Sequence, residues 1–349
     1  MFFSSKKVIG IDIGSTSIKV IEVDSSRKGA NLLSFAVVPT PPGAIYGGEI
    51  HDIAAIAMAL QAAITELKTK RKNAATAMWG TAVIVKKIQM ARVDRKLLRE
   101  QVRFEAEQYI PFDLNNVSLA HHELMTNNSP ETMDVLLVAA QNELVLQYSQ
   151  VIETAGLNCS ILDVSGFALA NCFELNYGKR PETVGILNFG ASITNFVVIQ
   201  NGEILFARDI LAGGSSYTNE IHKILGVTVE EAEALKLSAS AGREVPDEVH
   251  SILSQTNEVV VEEIRSSLDF LAATSSEVSI QKFYFTGGAA LTPGLIETAS
   301  RGLGLSFEPL NPFVNLKANP KKFSPGYLDQ IHYLIPVSLG LGLREVGDA

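Results

Sequence analysis

The alternation of apolar and polar positions at the start of the chain predicts a hairpin. One apolar run leads up to Asp12 and a second begins at Ile18, which is typical of two buried antiparallel strands. Between them lies a turn of small residues, namely Gly14, Ser15, Thr16 and Ser17. Such a turn lets backbone N–H groups and hydroxyls approach an anion, while Asp12 can hold the water shell of a metal ion and Lys19 adds a positive charge. The pattern predicts one side of a magnesium–triphosphate site; an ordinary hairpin with a hydrophilic tip is the alternative.

A second hairpin repeats this pattern in the other half of the chain. Residues 185–198 again read as a strand, a small polar turn and a strand. Asn188 and Gly190 each stand 176 positions after Asp12 and Gly14. Its turn contains Gly190, Ala191 and Ser192. A twofold internal repeat predicts two similar halves whose turns face a central cleft.

Two further glycine pairs lie where predicted elements meet. Lys282–Phe285 reads as a short strand, and it is followed by Gly287, Gly288 and Ala289 before a helix near Leu291. Gly213 and Gly214 precede a predicted helix that runs to Leu225. Glycines at such junctions allow a flat group to approach the backbone closely.

Taken in this order, the two turns and the glycine junctions resemble the actin-like ATPase superfamily, which includes actin, sugar kinases, heat-shock chaperones and FtsA. The resemblance implies an α/β, actin-like (ribonuclease H-like) two-domain fold around a nucleotide cleft, with ATP and Mg²⁺ as cofactors. It also implies that Glu233 and Lys236, which share a helix face, contact the ribose and adenine; a surface ion pair is the alternative. Asp163 either caps the next helix or positions a water or metal.

The sequence between the two hairpins predicts an inserted subdomain at residues 86–158. Its expected order is strand, helix, two strands separated by a turn, and helix. The predicted elements are Lys86–Val93, Asp94–Tyr109, Val117–Leu124, Met133–Ala140 and a helix capped by Asn142 that ends at Ala155, with the turn at Asn127, Asn128, Ser129 and Pro130.

The Glu-rich segment 104–112, which ends in Tyr-Ile-Pro-Phe, resembles the PilM-like family of type IV pilus assembly proteins. This family shares with FtsA an insertion at this place, called 1C. The resemblance implies subdomain 1A at 1–85 and 159–180, domain 2 at 181–335 with subdomain 2B at about 215–280, and a helix at 336–349 that returns to 1A.

The same resemblance implies partners and a location. The expected partner is the cytoplasmic N-terminal peptide of a PilN-like inner-membrane protein, with other pilus platform proteins or motor ATPases as further partners and a homo-oligomer or ring as a possible assembly. We expect the protein to be cytoplasmic and peripheral to the inner membrane, with membrane contact only through partners. Glu100, Glu105 and Glu107 predict an acidic rim for a basic peptide.

Length, charge and hydropathy narrow the classes of protein to which this chain can belong. The length of 349 residues suits two or more domains. A net charge of −9 argues against nucleic acid as the main partner, because phosphate binding requires positive charge. No stretch reaches the ~18 consecutive apolar residues of a membrane span.

Position 188 changes the expectation for catalysis. The superfamily resemblance implies an Asp at position 188, whereas this chain has Asn188. The asparagine amide brings no charge to a Mg²⁺ shell. We therefore expect ATP to bind with slow or absent hydrolysis and to act as a conformational switch. An FtsA-like cell-division filament protein and a metabolite kinase, which would need a general base, are the alternatives.

Overall fold

The computed structural model describes residues 6–26, 29–125, 129–275 and 278–348, which form two compact units. Unit 1 comprises Met1–Pro181, Ile199–Arg208 and Asn311–Ala349. Unit 2 comprises Glu182–Val198 and Asp209–Leu310. The second domain was expected to span residues 181–335, whereas Ile199–Arg208 and residues 311–335 group with unit 1.

The described residues alternate between strands and helices. The strands are β1 (Ile9–Ile13), β2 (Ser17–Ser26), β3 (Gly29–Pro39), β4 (Ile45–Tyr46), β5 (Glu49–Ile50), β6 (Asn73–Met78), β7 (Val83–Ala91), β8 (Val117–Leu124), β9 (Thr132–Gln141), β10 (Asn158–Val164), β11 (Val184–Phe189), β12 (Thr194–Gln200), β13 (Glu203–Ile210), β14 (Lys282–Thr286), β15 (Phe307–Pro309) and β16 (Leu316–Ala318). The helices are α1 (Ile53–Leu67), α2 (Arg95–Ala106), α3 (Asn142–Thr154), α4 (Ser165–Tyr177), α5 (Gly214–Leu225), α6 (Val229–Ser240), α7 (Asp247–Thr274), α8 (Leu295–Leu303), α9 (Pro325–Ile331) and α10 (Pro336–Gly342). Short 3₁₀ helices span Leu114–Asn116 and Gly288–Leu291.

The main sheet of unit 1 confirms the predicted first hairpin. Its strand order is β10-β6-β1-β2-β3-β16, in which β1 and β2 are antiparallel and β6 and β10 run parallel to β1. Four of the five β1 residues are buried and only Asp12 is half-buried, because helices cover the sheet. The covering helix α1 starts where the Asp52 side chain accepts from the Ala55 N–H at 2.8 Å and ends at Lys68, which adopts a left-handed conformation.

The C-terminal helix α10 packs on this sheet and ends at Gly342, whereas the predicted helix extended to residue 349. It packs against β1 on one side and α4 on another. The approach is so close that a Cβ on Gly10 would overlap the Ser338 carbonyl oxygen, and a Cβ on Gly340 would overlap that of Ala168. Glycine is therefore required at both contacts.

The inserted subdomain is a three-stranded sheet of order β7-β9-β8 covered by α2. It has a core of its own, formed by Ile88, Met90, Leu98, Val102, Ala106, Ile110, Leu114, Val117, Met133, Val135, Leu137 and Ala139. The predicted boundary at residue 86 falls inside β7, which begins at Val83 and pairs with β9 along its whole length. The helix α3 packs on α1 and β10, so it belongs with the main sheet rather than with the insertion.

Two helix ends in this region differ from the prediction. The helix α2 ends at Ala106, not at Tyr109, because Ile110 turns into the subdomain core and Pro111 follows it. The cap position of α3 is Gln141, and the Asn142 side chain instead accepts a hydrogen bond from the Ser118 hydroxyl at 2.8 Å. Asn127 and Asn128 of the predicted turn lie outside the described residues.

A second sheet, of five strands, repeats the strand order of the main sheet. Its strands run β13-β12-β11-β14-β15, with β14 parallel to β11. In both sheets a meander of three consecutive strands is extended beyond its first strand by later, parallel ones, which is the pattern expected from the internal repeat. The helices α5 to α8 belong to unit 2. Within the described part of the chain, no helix combines the length and hydropathy needed to cross a membrane.

Candidate functional site

The first turn closes on itself and on the end of β3. The Gly14 N–H donates to the Ser17 carbonyl at 3.1 Å. Thr40 clasps the turn twice, since its N–H donates to the Thr16 carbonyl at 3.0 Å and its hydroxyl donates to the Gly14 carbonyl at 2.7 Å. The Gly14 N–H is thus used within the turn, so this part of the predicted anion cradle is wrong. Nothing in the local sequence pattern identified Thr40.

The two charged residues of this hairpin form an ion pair across β1 and β2. Asp12 and Lys19 are register partners, and the Lys19 Nζ lies 3.2 Å from the Asp12 Oδ2 with both side chains 14% exposed. A Cβ on Gly14 would lie 3.0 Å from the same Nζ, so the ammonium lies beside the turn. The predicted proximity of carboxylate, turn and cation is therefore correct. The hydroxyl residues Ser15 and Ser17 are half-buried and Thr16 is exposed.

The second turn has the same closure as the first. The Gly190 N–H donates to the Ile193 carbonyl at 2.9 Å, which is the equivalent of the Gly14–Ser17 bond 176 positions earlier. The start of α5 clasps it, since the N–H groups of Gly214 and Ser215 donate to the carbonyls of Gly190 and Ala191 at 2.9 and 2.7 Å. Ser192 lies half-buried in this turn.

Asn188 is the first member of a chain of side-chain hydrogen bonds in unit 2. Its Nδ2 donates to the Asn195 Oδ1 at 2.8 Å, and the Asn195 Nδ2 donates to the Asp209 Oδ1 at 2.7 Å. Neither Asn195 nor Asp209 was singled out from the sequence. One signal was present, because Asn195 follows Asn188 by the same seven positions that separate Lys19 from Asp12.

The predicted glycines of unit 2 come together at the start of α5. A Cβ on Gly214 would lie 3.3 Å from the Lys236 Nζ and 3.4 Å from the Ala289 Cβ, with the Ala191 Cα also within reach. A Cβ on Gly213 would lie 2.7 Å from the carbonyl oxygens of Gly190 and Ala191. Four predicted segments therefore contact one another here.

The third glycine junction packs over the end of β11. Gly287 has a φ of +94°, and a Cβ there would overlap the Phe189 carbonyl oxygen. Gly288 and Ala289 then begin the 3₁₀ helix, with Gly288 exposed. The close approach predicted at this junction is made to the protein's own backbone.

Lys236 holds α6 to the start of α5. Its Nζ lies 2.6 Å from the Glu233 Oε2, 2.9 Å from the Thr218 Oγ1 and 3.1 Å from the Gly214 carbonyl oxygen. Because Lys236 is 7% exposed, the simple surface ion pair is the wrong interpretation. Thr218 was missed from the sequence, although it lies one helical turn after Gly214.

Asp163 is engaged on both oxygens. Its Oδ1 accepts from the Val164 N–H at 2.8 Å, and its Oδ2 forms an ion pair with Arg344. The cap position of α4 is Val164 and no side chain caps that helix, so the predicted capping role is wrong. Burial raises the pKa of Asp163, while the Arg344 guanidinium opposes this effect. The ion pair ties β10 to the C-terminal segment, and this geometry does not support the water-positioning or metal-positioning role.

The donor chemistry fits a hydrated magnesium ion carried by a nucleotide. Among the described residues there is no group of three or more His, Cys, Asp or Glu side chains that could hold a metal. Mg²⁺ usually keeps several waters and takes one or two carboxylates together with substrate phosphates. Asp12 supplies one such carboxylate, and the hydroxyls of the first turn and Lys19 suit phosphate oxygens.

Comparison with known sequences identifies a family. The family described as type IV pilus assembly protein PilM matches residues 10–346 of this chain. Among curated proteins, the cell division protein FtsA of Streptococcus pneumoniae (strain D39) is 24% identical over 344 aligned positions, covering 85% of this chain and 73% of FtsA.

Comparison with solved structures agrees with the fold. A structure of a PilM-PilN type IV pilus biogenesis complex is similar with a TM-score of 0.88 and 28% identity, covering 98% of this chain and 99% of that one. The ethanolamine utilization protein EutJ of Carboxydothermus hydrogenoformans has a TM-score of 0.57 and 16% identity, with 96% and 89% covered. MreB5 of Spiroplasma citri bound to ADP has a TM-score of 0.50 and 13% identity, with 89% and 94% covered. These structures confirm the predicted actin-like α/β fold.

Proposed function

The chain belongs to the type IV pilus assembly protein PilM family, and on that premise we propose that it is an ATP-binding scaffold of the pilus inner-membrane platform. In this proposal the inserted subdomain holds the cytoplasmic N-terminal peptide of a PilN-like protein, and ATP acts as a conformational switch with slow turnover. The observation that carries this proposal is an exposed apolar strip on α2. It is read together with the similarity of this chain to a solved PilM-PilN complex.

The strip consists of Leu97 and Phe104, which are 54% and 63% exposed although the opposite face of α2 is buried in the subdomain core. They stand seven residues apart, so they lie on one face of the helix. Tyr109 extends the apolar surface beyond the helix end, where the Lys86 ammonium lies 5.2 Å from its ring centroid. A pair of apolar anchors on a rigid helix suits a short peptide.

The charge around this strip is mixed rather than acidic. Glu100 and Glu107 are exposed, but Glu105 accepts from Gln101 at 3.0 Å and from Gln108 at 3.4 Å. The helix also carries the basic residues Arg95, Lys96, Arg99 and Arg103. The predicted acidic rim is therefore replaced by a mixed surface, and apolar contact is the main expected source of peptide affinity. Phe112 packs against the subdomain core and is not part of the strip.

The test is peptide binding to the full chain. The double variant Leu97→Glu/Phe104→Glu should weaken binding of the N-terminal PilN peptide by at least about tenfold, because interface anchors each contribute about 1–2 kcal/mol. Fluorescence anisotropy with a labelled peptide measures this.

A matched control is available in unit 2. Leu237 and Val259 are 56% and 62% exposed, so the double variant Leu237→Glu/Val259→Glu adds the same charge to a comparable surface. Equal losses in both double variants, or full affinity in the α2 variant, would locate the peptide elsewhere and remove the argument for this strip.

Nucleotide binding is supported by the two equivalent turns and by the glycine cluster around Lys236. Mg²⁺ would be held by Asp12 and supplied with the nucleotide, while Lys19 and the first turn would contact phosphates and the Glu233–Lys236 pair would contact the nucleoside. In protein stripped of copurified nucleotide, ATP at 100 times its Kd should add about 2.7 kcal/mol to the free energy of unfolding. A melting temperature that does not respond to ATP with Mg²⁺ would contradict nucleotide binding.

A further inference from the structure

We propose that Asp209, acting through Asn195, sets the orientation of the Asn188 amide so that Asn188 presents its carbonyl oxygen to the hydrated Mg²⁺ of the bound nucleotide. The inference rests on the proposed nucleotide binding for its ligand, but the relay itself is a property of unit 2. Asp209 and Asn195 are positioning residues in this scheme, and Asn188 is the residue that contacts the ligand.

The direction of the relay follows from its carboxylate end. An ionised carboxylate only accepts hydrogen bonds, so the Asn195 group that faces Asp209 must be its Nδ2, at 2.7 Å. The Asn195 Oδ1 then faces Asn188 and accepts from the Asn188 Nδ2 at 2.8 Å. This leaves the Asn188 Oδ1 as the end of the amide outside the relay.

Burial holds this direction in place. Asn195 is 4% exposed, so water does not replace its partners if its amide rotates. Reversal of the relay would place the Asn195 Oδ1 against the Asp209 carboxylate, which puts two acceptors in contact without a proton between them. The Asn188 amide therefore has one favoured orientation, although asparagine alone has no such preference.

In the first hairpin, the position equivalent to Asn195 has a different role. Lys19 occupies the place of Asn195 and pairs directly with Asp12, and its register partner on β3 is Val37. No second carboxylate is needed there because the lysine itself carries the charge. In unit 2 the negative charge stands on β13 at Asp209, and two amides separate it from the ligand-facing end.

The Asn188 Oδ1, at the end of the relay, selects the ligand chemistry. A carbonyl oxygen accepts hydrogen bonds, and phosphate oxygens are acceptors too, so Asn188 in this orientation does not bind phosphate directly. The water molecules around Mg²⁺ are donors, and Mg²⁺ bound to nucleotides retains several of them. The second turn thus recognises the hydrated metal rather than the phosphate chain.

A double-mutant cycle tests the relay without any ligand. Asn188→Asp places carboxylates at both ends of the Asn195 amide and should lower the melting temperature of the nucleotide-free protein by about 2–4 °C. The double variant Asn188→Asp/Asp209→Asn moves the charge to the other end and lets the relay run in reverse, so it should recover most of that loss. If the two substitutions add instead of compensating, the relay is overturned.

The ligand assignment is tested by ATP affinity with Mg²⁺ and with EDTA. In Asp209→Asn the two orientations of the Asn188 amide become comparable in free energy, so the population that presents its Oδ1 falls to about half. The Kd for ATP with Mg²⁺ should therefore rise about twofold. The Kd in EDTA should not change. In Asn188→Asp/Asp209→Asn the affinity with Mg²⁺ should be at least that of the wild type.

The control is Asp134→Asn, which removes a buried carboxylate of the inserted sheet that pairs with Lys87 at 3.1 Å. It should lower the melting temperature and leave the ratio of the two Kd values unchanged. A loss in Asp209→Asn that is equal with Mg²⁺ and with EDTA overturns the role toward the hydrated metal. A wild type that binds no ATP overturns the ligand assignment together with the proposed function, whereas the ligand-free cycle judges the relay alone.

Discussion

The two turns are closed by the same backbone hydrogen bond, but one carries an ion pair and the other a pair of neutral amides. Each is closed by a glycine N–H that donates three residues ahead, at 3.1 Å from Gly14 and 2.9 Å from Gly190. Seven residues apart, the first hairpin pairs Asp12 with Lys19 and the second pairs Asn188 with Asn195. The shape of each turn therefore depends on glycine and strand pairing, while its charge is set independently by the two residues that face each other across the strands.

The difference has a direct consequence for ligand chemistry. The first turn has a cation and a carboxylate beside it, and opposite charges about 4 Å apart interact by about 4 kcal/mol at an effective dielectric near 20. The second turn is neutral, and its nearest relay carboxylate, Asp209, lies on a different strand. We therefore expect the first turn to dominate metal and phosphate affinity and the second to tune it.

The largest expected effect comes from the glycine that packs over the second turn. Gly287→Val introduces a branched side chain at a φ of +94° and against the Phe189 carbonyl, so the free energy of unfolding should fall by about 3 kcal/mol or more. Gly14→Ala, whose Cβ would meet only the Lys19 Nζ at 3.0 Å and the Ser17 carbonyl at 3.1 Å, should cost about 1 kcal/mol or less. Urea denaturation measures both. Similar losses would mean that the two turns are equally constrained.

The next effect tests the charge difference. Asp12→Asn makes the first turn neutral like the second, and the affinity for ATP with Mg²⁺ should fall about tenfold, which is ~1.4 kcal/mol. Affinity in EDTA should be equal or higher, because a negative charge near the phosphates is removed. Calorimetric titration measures both values.

The control for this variant is Asp24→Asn in the same unit. Asp24 is exposed and pairs with Lys7, so its loss removes an equal charge away from the turn. If Asp24→Asn weakened ATP binding as much as Asp12→Asn, the effect would come from net charge and not from the turn.

A smaller effect is expected in turnover. Asn188→Asp returns a carboxylate to the second turn and should raise ATP hydrolysis at saturating Mg²⁺ by roughly three- to tenfold, because about 1 kcal/mol of added stabilisation in the transition state suffices for that. Combining it with Asp209→Asn should raise turnover further by restoring a favourable relay. Unchanged turnover with equal metal affinity would show that Asn188 does not limit the reaction.

The smallest effects are expected from two buried threonine hydroxyls, one beside each turn. The Thr40 hydroxyl donates to the Gly14 carbonyl and the Thr194 hydroxyl donates to the Ala212 carbonyl, each at 2.7 Å, and both residues are buried. Thr40→Val and Thr194→Val should each lower the free energy of unfolding by about 1 kcal/mol. A loss in only one of them would show that the two hydroxyls do not contribute equally to stability.

Local patterns were sufficient for most elements. The strand β8 has its predicted bounds, and β9 and the inner ends of the β1–β2 hairpin lie within one residue of theirs, because apolar periodicity reports directly on which face is buried. Predictions failed where an end depended on a neighbour that the pattern does not contain. The early end of α2 follows from Ile110 entering the core, and the start of β7 follows from its pairing with β9.

The two equivalent turns and the residue types that distinguish them could be predicted from the sequence, since glycine, hydroxyl, carboxylate and amide chemistry act over a few residues. Packing in three dimensions selects the distant group that each polar side chain meets. Asp163 forms an ion pair with Arg344, which lies 181 positions away, and Asn195 donates a hydrogen bond to Asp209 on the following strand. Such contacts arise from the packing of whole strands and helices, and because side-chain hydrogen bonds and ion pairs reach only about 3–4 Å, sequence spacing carries no record of them.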